Sequence, residues 1–275
     1  MKKMRVLGVP YIVWMIIFIC LPLIFLAIYS FTNRTGGFTF NNFKEFFSPI
    51  YIKILLNSLY LAAISTLICF LLGYPAAYLI SRIHNERKRN VILLLFIMPM
   101  WMNFLLRTYS WMTLLGNNGL INLLLQKLSL PPLNMLYNTS AVLLGMVYNF
   151  LPFMVYPIYS VLTKLNQSYR NAAQDLGANN RTAFLKITFP LSLPGVITGI
   201  TMVFMPAVST FVIPSLLGGG QNMLIGSLIE QQILQAGNMN FGSAASLIMM
   251  VIIFIMMRIM ETFDKTKKDK VEINI

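Results

Sequence analysis

Side chains that could act as acids, bases, nucleophiles or metal ligands are few in this sequence, and they lie far apart. His84 is the single histidine, and no cluster of Cys, Asp and Glu surrounds it at metal-ligand spacing. A Ser/His/Asp catalytic triad would have to use His84, which lies in a basic stretch of the sequence. The sequence also contains no G-x-x-x-x-G-K-[ST] phosphate-binding loop. We therefore expect a non-catalytic chain that binds no metal or cofactor itself, with His84 as a solvated loop residue.

The carboxylates are also placed outside the long apolar runs of the chain. Proton-coupled carriers generally need carboxylates or histidines inside the membrane to relay protons. The absence of such groups disfavours a stand-alone secondary carrier or channel, which remains the weaker alternative, and places the energy source in another subunit. The eight acids are Glu45, Glu86, Asp175, Glu230, Glu261, Asp264, Asp269 and Glu272.

One arginine, Arg107, does lie inside an apolar run. A charged side chain there costs roughly 2.5–3.5 kcal/mol on insertion scales, so we expect it to have a partner. Glu230, Glu45 or an acid of another subunit could form a structural or gating ion pair with it. Contact with a transported solute is the alternative.

The elements that must position these residues are membrane-spanning helices. The chain has 275 residues, is 57% hydrophobic and 11% charged, and has a mean hydropathy of +0.71, which excludes a soluble globular enzyme. A transmembrane helix needs roughly 20 mostly apolar residues. We therefore predict an all-α membrane protein with a single transmembrane domain over 1–275. Its six spans are at about 9–31, 54–80, 91–115, 139–162, 191–217 and 241–260.

The basic residues explain the net charge of +13 by topology. Sixteen of the 21 Lys and Arg fall in the two termini and in the connections after the second and fourth spans. The positive-inside rule then puts both termini in the cytoplasm, where basic segments also meet anionic lipid. A nucleic-acid partner is not needed to account for this charge.

The connection 164–190 is the most informative segment. Ser168 is predicted to cap a two-turn helix over 169–176, and Gly177 can supply the left-handed residue that ends it. A second short helix should run to Pro190. Small, exposed Ala172 and Ala173 would suit docking into a groove of a partner, but an ordinary interfacial loop helix has the same pattern.

This connection resembles that of the permease subunits of bacterial ABC importers, which carry E-A-A-x(3)-G-x(9)-I-x-L-P. Here Asn171 replaces the Glu and Phe189 replaces the Leu, while the spacing is complete. The resemblance implies the type I (MetI-like) fold, with a cytoplasmic coupling helix that sits on a separate ATPase. The residues assigned to coupling are Asn171, Ala172, Ala173, Asp175, Gly177, Ala178, Ile187 and Pro190.

Further segments, at 99–109, 151–157, 221–226 and 240–245, resemble the permeases of spermidine/putrescine importers, and in particular the first of their two permease subunits. The resemblance implies a heterodimer with a second permease in a bacterial inner membrane. It further implies an ATPase dimer that uses ATP and Mg, and an extracytoplasmic binding protein that delivers a polyamine. Another solute, such as iron or sulfate, is the alternative within the family.

A polyamine path would need aromatic or negative groups, because a polycation is costly to dehydrate. Aromatic and amide side chains on the third and fourth spans could line it, or could simply pack between helices: Trp101, Asn103, Tyr109, Tyr148 and Asn149. If the third span is regular, Asn103, Arg107 and Trp111 share one face. Any acid for the substrate is expected from the second permease or the binding protein. A short amphipathic helix is predicted in the outer connection near 223–234.

Overall fold

The computed structural model describes residues 9–220 and 223–273, with side chains over 10–166, 168–220 and 223–262. Lys2, Lys3 and Arg5 of the charge pattern lie outside the described residues, as do Gln221 and Asn222 of the motif at 221–226. The helices in these ranges are α1 Pro10–Ser30, α2 Asn41–Phe46, α3 Pro49–Ser81, α4 Glu86–Ile97, α5 Phe104–Leu115, α6 Leu120–Lys127, α7 Thr139–Lys164, α8 Gln167–Asp175, α9 Asn180–Ser209, α10 Val212–Leu217, α11 Ile225–Glu230 and α12 Met239–Ile273.

Five of these helices are long and apolar enough to cross a membrane, namely α1, α3, α7, α9 and α12. A sixth span is formed if the bent pair Glu86–Trp101 and Phe104–Lys127 counts as one. In the described ranges the β-type pairing is a single bridge between Thr32 and Phe38. The predicted all-α membrane architecture is therefore confirmed.

The third span is not one regular helix, but its break precedes Asn103, so Asn103, Arg107 and Trp111 still lie at successive turns of α5, with Arg107 N donating to Asn103 O at 3.1 Å. The chain turns by 92° between its two halves. Pro99 stands in a short 3₁₀ turn, where its missing N–H removes a helical hydrogen bond. Asn103 then starts a new helix, because its side-chain oxygen accepts hydrogen bonds from Leu105 N (2.9 Å) and Leu106 N (3.3 Å).

The fifth span also differs from the expected 191–217. α9 begins earlier, at Asn180, and ends at Ser209, where Thr210 has extended backbone angles. The carbonyl groups released at this break are covered by α11. Ser227 Oγ donates to Phe211 O (3.2 Å), and Gly226 approaches so closely that a Cβ there would lie 2.4 Å from Ser209 O.

The core of the domain is the packing of α3, α7 and α9 against one another. α7 lies at the centre, with 61% of its most apolar stretch buried, whereas the corresponding stretch of α1 has no buried residue. One buried polar contact joins α3 to α9, where Tyr74 Oη and Ser192 Oγ are 2.8 Å apart. The apolar side chains that fill this core include Leu61, Ala62, Cys69, Val142, Met146, Met154, Ile158, Val196, Val203 and Ala207.

The peripheral helix α1 is attached to α12 by asparagine side chains. Asn240 Nδ2 lies 2.7 Å from Thr32 O and 3.1 Å from Tyr29 O at the end of α1. Asn42 of α2 donates to Ser30 O and Thr32 O, both at 2.9 Å. These bonds satisfy carbonyls that the last turn of α1 leaves free.

Two glycines allow α9 to lie directly on the backbone of α7. A Cβ at Gly195 would be 2.9 Å from Pro157 O and 3.1 Å from Ile158 Cα. One at Gly199 would be 2.8 Å from the sulfur of Met154. Small residues at such contacts are how membrane helices gain close packing without a hydrophobic driving force between them.

We expect Gly195→Leu to separate α9 from α7 and to destabilise the domain by about 1–3 kcal/mol through overpacking. The measurement is the apparent midpoint of thermal unfolding of the purified protein in detergent. Thr198→Leu is the control, since Thr198 is an exposed residue on the same helix. Equal shifts for the two variants would contradict the assigned contact.

Candidate functional site

The connection between α7 and α9 folds as a short, separately capped helix. α7 ends at Lys164, and Leu165 and Asn166 have extended backbone angles. Asn166 is the cap of α8, since its Oδ1 accepts a hydrogen bond from Ser168 N at 3.0 Å. The prediction of Ser168 as the cap is therefore wrong by two residues, because Asn166 precedes it and its side-chain oxygen is an equally good acceptor.

The end of α8 confirms the role predicted for Gly177. Its φ of +85° is in the left-handed region that favours glycine. Gly177 N donates to Gln174 O and Ala178 N donates to Ala173 O, both at 2.9 Å. This pair of bonds is the Schellman arrangement, and it turns the chain sharply out of the helix. Asn179 then caps α9 by accepting from Thr182 N at 2.8 Å.

A single side chain, Asn180, fixes α8 to the start of α9. Its Oδ1 accepts hydrogen bonds from Arg170 Nη2 and from Gln174 Nε2, each at 2.8 Å. Arg170 and Gln174 are one helical turn apart on α8, so the two bonds set the orientation of the helix about its axis. The polar face of α8 is therefore turned toward α9.

The opposite side of this connection, which we call the α8 tip, is exposed. Asn171, Ala172 and Asp175 are exposed, and Leu176 has 90% of its surface accessible. Leu176 is thus a large apolar side chain left open at the end of a polar helix. Of the other residues predicted for coupling, Ala173, Ala178 and Ile187 are half-buried, whereas Gly177 and Pro190 are exposed.

Leu176 was not among the residues selected from the sequence. The signal that could have found it is local: it is the one large aliphatic residue between Tyr169 and Phe184. Its position just before the left-handed glycine places it where the helix ends, so the neighbouring turn cannot bury it.

The predicted ion pair between Arg107 and Glu230 is not formed. Within the described side chains, the ion pairs are Arg89–Glu86 and Arg258–Glu261. Arg107 is only 7% exposed, its Nε and Nη1 have no hydrogen-bond partner, and its guanidinium lies 5.8 Å from the centre of the Phe104 ring. A cation over an aromatic face is stabilised by about 0.5–2 kcal/mol, which compensates a buried charge only in part.

Glu230 instead borders a cavity of about 170 Å³ between α10 and α11. The polar neighbours in its wall are Ser215, Ser227, Gln231 and Gln235. α11 and the π-helical turn Gln231–Gln235 confirm the helix predicted in this connection. However, Ile225 and Leu228 are buried, because Ile225 N donates to Ser58 Oγ of α3 at 2.8 Å and holds the helix against the core.

The five residues proposed for a path are not gathered around one cavity. Trp101, 80% exposed, and Asn103 lie at the bend of the third span. Tyr109 is exposed, and Tyr148 contacts the Trp111 ring edge-on, with centroids 5.2 Å apart. Asn149 is buried in α7, where its Nδ2 donates to Gly145 O and its Oδ1 has no hydrogen-bond partner.

His84 is an exposed residue of the turn between α3 and α4, as predicted. No group of three or more His, Cys, Asp and Glu that could hold a metal occurs among the residues of 9–220 and 223–273.

We expect Asn180→Ala to release α8 from α9, since Arg170 and Gln174 both lose their acceptor. Amide hydrogen exchange over 167–176 should accelerate roughly tenfold, which corresponds to the loss of about 1–2 kcal/mol of hydrogen bonding. Asn171→Ala on the exposed side of the same helix is the control. Exchange at the same rate in both variants would show that the Asn180 contacts do not hold α8.

Comparison with known sequences supplies an independent description. The chain matches the family described as binding-protein-dependent transport system inner membrane component over residues 69–269. It is 35% identical to the spermidine/putrescine transport system permease protein PotB of Haemophilus influenzae, over 94% of this chain and 93% of that protein. It is also 35% identical to PotB of Escherichia coli K12, over 94% of this chain and 97% of that protein.

Among solved structures, a similar fold is found in a bacterial ABC transporter involved in the import of the acidic polysaccharide alginate. The TM-score is 0.84 at 18% sequence identity, with 96% of each chain covered. The fold predicted from the motif of the α7–α9 connection, that of an ABC importer permease, is thereby confirmed.

Proposed function

The chain belongs to the family of binding-protein-dependent transport system inner membrane components, and we propose that it is the membrane-spanning permease subunit of an ATP-driven polyamine importer. The observation that carries this proposal is the 35% identity to the spermidine/putrescine permeases over 94% of the chain. Identity of this extent covers the helices, the breaks between them and the connection that carries α8.

The proposed assembly follows the family. A second permease pairs with this chain, an ATPase dimer lies beneath both, and an extracytoplasmic binding protein delivers the polyamine. ATP and Mg are used by the ATPase, and this chain itself is non-catalytic. Both termini are on the cytoplasmic side, as the distribution of Lys and Arg favours, so the α8 tip faces the ATPase and the Glu230 cavity faces outward.

Within this assembly, α8 is the coupling helix. Its exposed Leu176 and Ala172 supply a small apolar contact, and its orientation is fixed by Asn180. A movement of the ATPase therefore reaches α9 through a rigid joint, and α9 lies directly on α7 at Gly195 and Gly199. Asn171 stands where the family motif has Glu, so docking here depends on apolar contact more than on that charge.

We expect Leu176→Asp to uncouple transport. A buried contact at the centre of an interface typically contributes 2 kcal/mol or more, so co-purification of the ATPase and ATP-driven uptake should both fall by roughly tenfold or more. Leu130→Asp is the matched control, since Leu130 is also exposed but lies in the connection between α6 and α7. Unchanged uptake together with unchanged co-purification would exclude α8 as the docking element.

Two features support the polyamine assignment. The connections assigned to the outer side carry few of the 21 Lys and Arg, so they repel a polycation little, and one of them carries the carboxylate of Glu230. A polyamine ammonium group is best compensated by a carboxylate with neighbouring hydrogen-bond acceptors. Glu230, Gln231 and Gln235 provide such oxygens around one cavity. We therefore place an amine contact at Glu230, in addition to any acid of the second permease or the binding protein.

We expect Glu230→Gln to raise the KM for spermidine roughly tenfold, because a hydrogen bond to a charged group contributes about 1.5–3 kcal/mol. The measurement is uptake of radiolabelled spermidine and putrescine by the reconstituted complex, with ATP inside the vesicles. Glu45→Gln is the control, since Glu45 is an exposed acid in the connection between α1 and α3. Competition by iron or sulfate, with no competition by unlabelled putrescine, would contradict the polyamine assignment.

A further inference from the structure

A second cavity, of about 220 Å³, lies where the ends of α3 and α7 meet α8 and α9. Three of its lining residues are arginines that come from three different segments: Arg82 ends α3, Arg89 is on α4, and Arg170 is on α8. No acidic residue is among the described residues of its wall. The cavity therefore concentrates positive charge that its own wall does not neutralise.

Each of the three guanidinium groups is held by a neighbouring side chain and still has N–H groups without an acceptor in the described part of the chain. A guanidinium has five N–H donors. Arg82 stacks on the Tyr78 ring at 4.7 Å and donates to its hydroxyl. Arg170 uses Nη2 for Asn180, and Arg89 uses Nη2 for Glu86 at 3.5 Å.

Arg89 is the most informative of the three. Its side chain is only 24% exposed, and its Nε is buried without a hydrogen-bond partner. The pair with Glu86 is at the outer edge of the cavity, because the Glu86 side chain is 81% exposed. A buried donor without an acceptor is costly, so the site gains stability from an acceptor that is supplied from outside the chain.

We propose that this cavity binds a phosphate group, carried by an anionic phospholipid headgroup or by soluble phosphate. Arginines in a fixed fork bind phosphate oxygens with paired N–H donors, which compact ammonium groups cannot do. The hydroxyls of Thr188 and Tyr169 in the wall add further donors. The volume is below the roughly 300–1,000 Å³ of pockets for drug-sized ligands, which favours a headgroup-sized anion.

The location connects this site to α8. A bound phosphate group would join Arg170 of α8 to Arg82 and Arg89, and so would attach the proposed coupling helix to the ends of the core helices. The walls contributed by Leu162 and Leu191 belong to the spans α7 and α9. With the orientation proposed above the cavity is on the cytoplasmic side, where anionic lipid is enriched.

The test uses the full-length chain in nanodiscs of phosphatidylcholine, with phosphatidylglycerol added in increasing amounts. Retained lipid is counted by native mass spectrometry, and the midpoint of thermal unfolding is followed in parallel. The wild-type protein should retain phosphatidylglycerol selectively, and Arg82→Gln/Arg89→Gln should lower its affinity by roughly 100-fold, or about tenfold for each arginine. Arg181→Gln, an exposed arginine outside the cavity, should change nothing.

A second arm adds inorganic phosphate to discs of phosphatidylcholine alone. Stabilisation by phosphate but not by phosphatidylglycerol would assign the site to the soluble anion, and the reverse would assign it to lipid. If the double variant unfolds in pure phosphatidylcholine, Arg170→Gln repeats the measurement with one arginine removed. The proposal is wrong if neither probe distinguishes the wild type from these variants, or if Arg181→Gln loses as much affinity. These readouts require neither transport nor the ATPase, so they are independent of the proposed function.

Discussion

The constraint on which the whole structure depends is that backbone N–H and C=O groups in an apolar surrounding need hydrogen-bond partners within the protein. Long helices satisfy it almost everywhere, and the interruptions occur where a side chain or a neighbouring helix replaces the lost bonds. Asn103 does so at the bend of the third span, and Gly226 with Ser227 does so at the end of α9. The breaks are therefore stabilised by specific contacts. Trp101 and the Glu230 cavity lie next to them.

Packing turns these helices into a unit that can transmit movement. α9 touches the α7 backbone through Gly195 and Gly199, and α3 is joined to α9 by the Tyr74–Ser192 contact. Because close-packed interfaces do not deform gradually, a displacement at one end of α9 is carried along its length. Asn180 adds α8 to this unit. The peripheral α1, in contrast, is attached mainly at its end and through α12, and its apolar surface is left for lipid or another subunit.

Hydropathy and motif spacing predict the features that depend on composition or on one local residue. Six apolar runs become the long helices and the bent pair, and Gly177 ends α8 as its motif position requires. Hydropathy does not predict the bend before α5, because the residues on both sides of it are apolar. The bend depends on Pro99 and on the helix cap Asn103. Arg107 and Glu230 form no pair within the described side chains, and the alternative of an acid from another subunit stays a prediction.

The two arginine environments show how the same side chain serves different purposes at the two ends of the domain. Arg107 is buried with its guanidinium 5.8 Å from the centre of the Phe104 ring, and its Nε and Nη1 have no hydrogen-bond partner. Arg82, Arg89 and Arg170 converge from separate segments on one cavity whose described wall contains no acid, and this is the arrangement from which we propose an anion site. Arg170 lines the cavity only while α8 keeps the orientation that Asn180 imposes. One nitrogen of Arg170, Nη2, donates to Asn180, and its other nitrogens are left for the cavity. The proposed docking surface and the proposed anion cavity therefore lie on opposite sides of the same nine-residue helix.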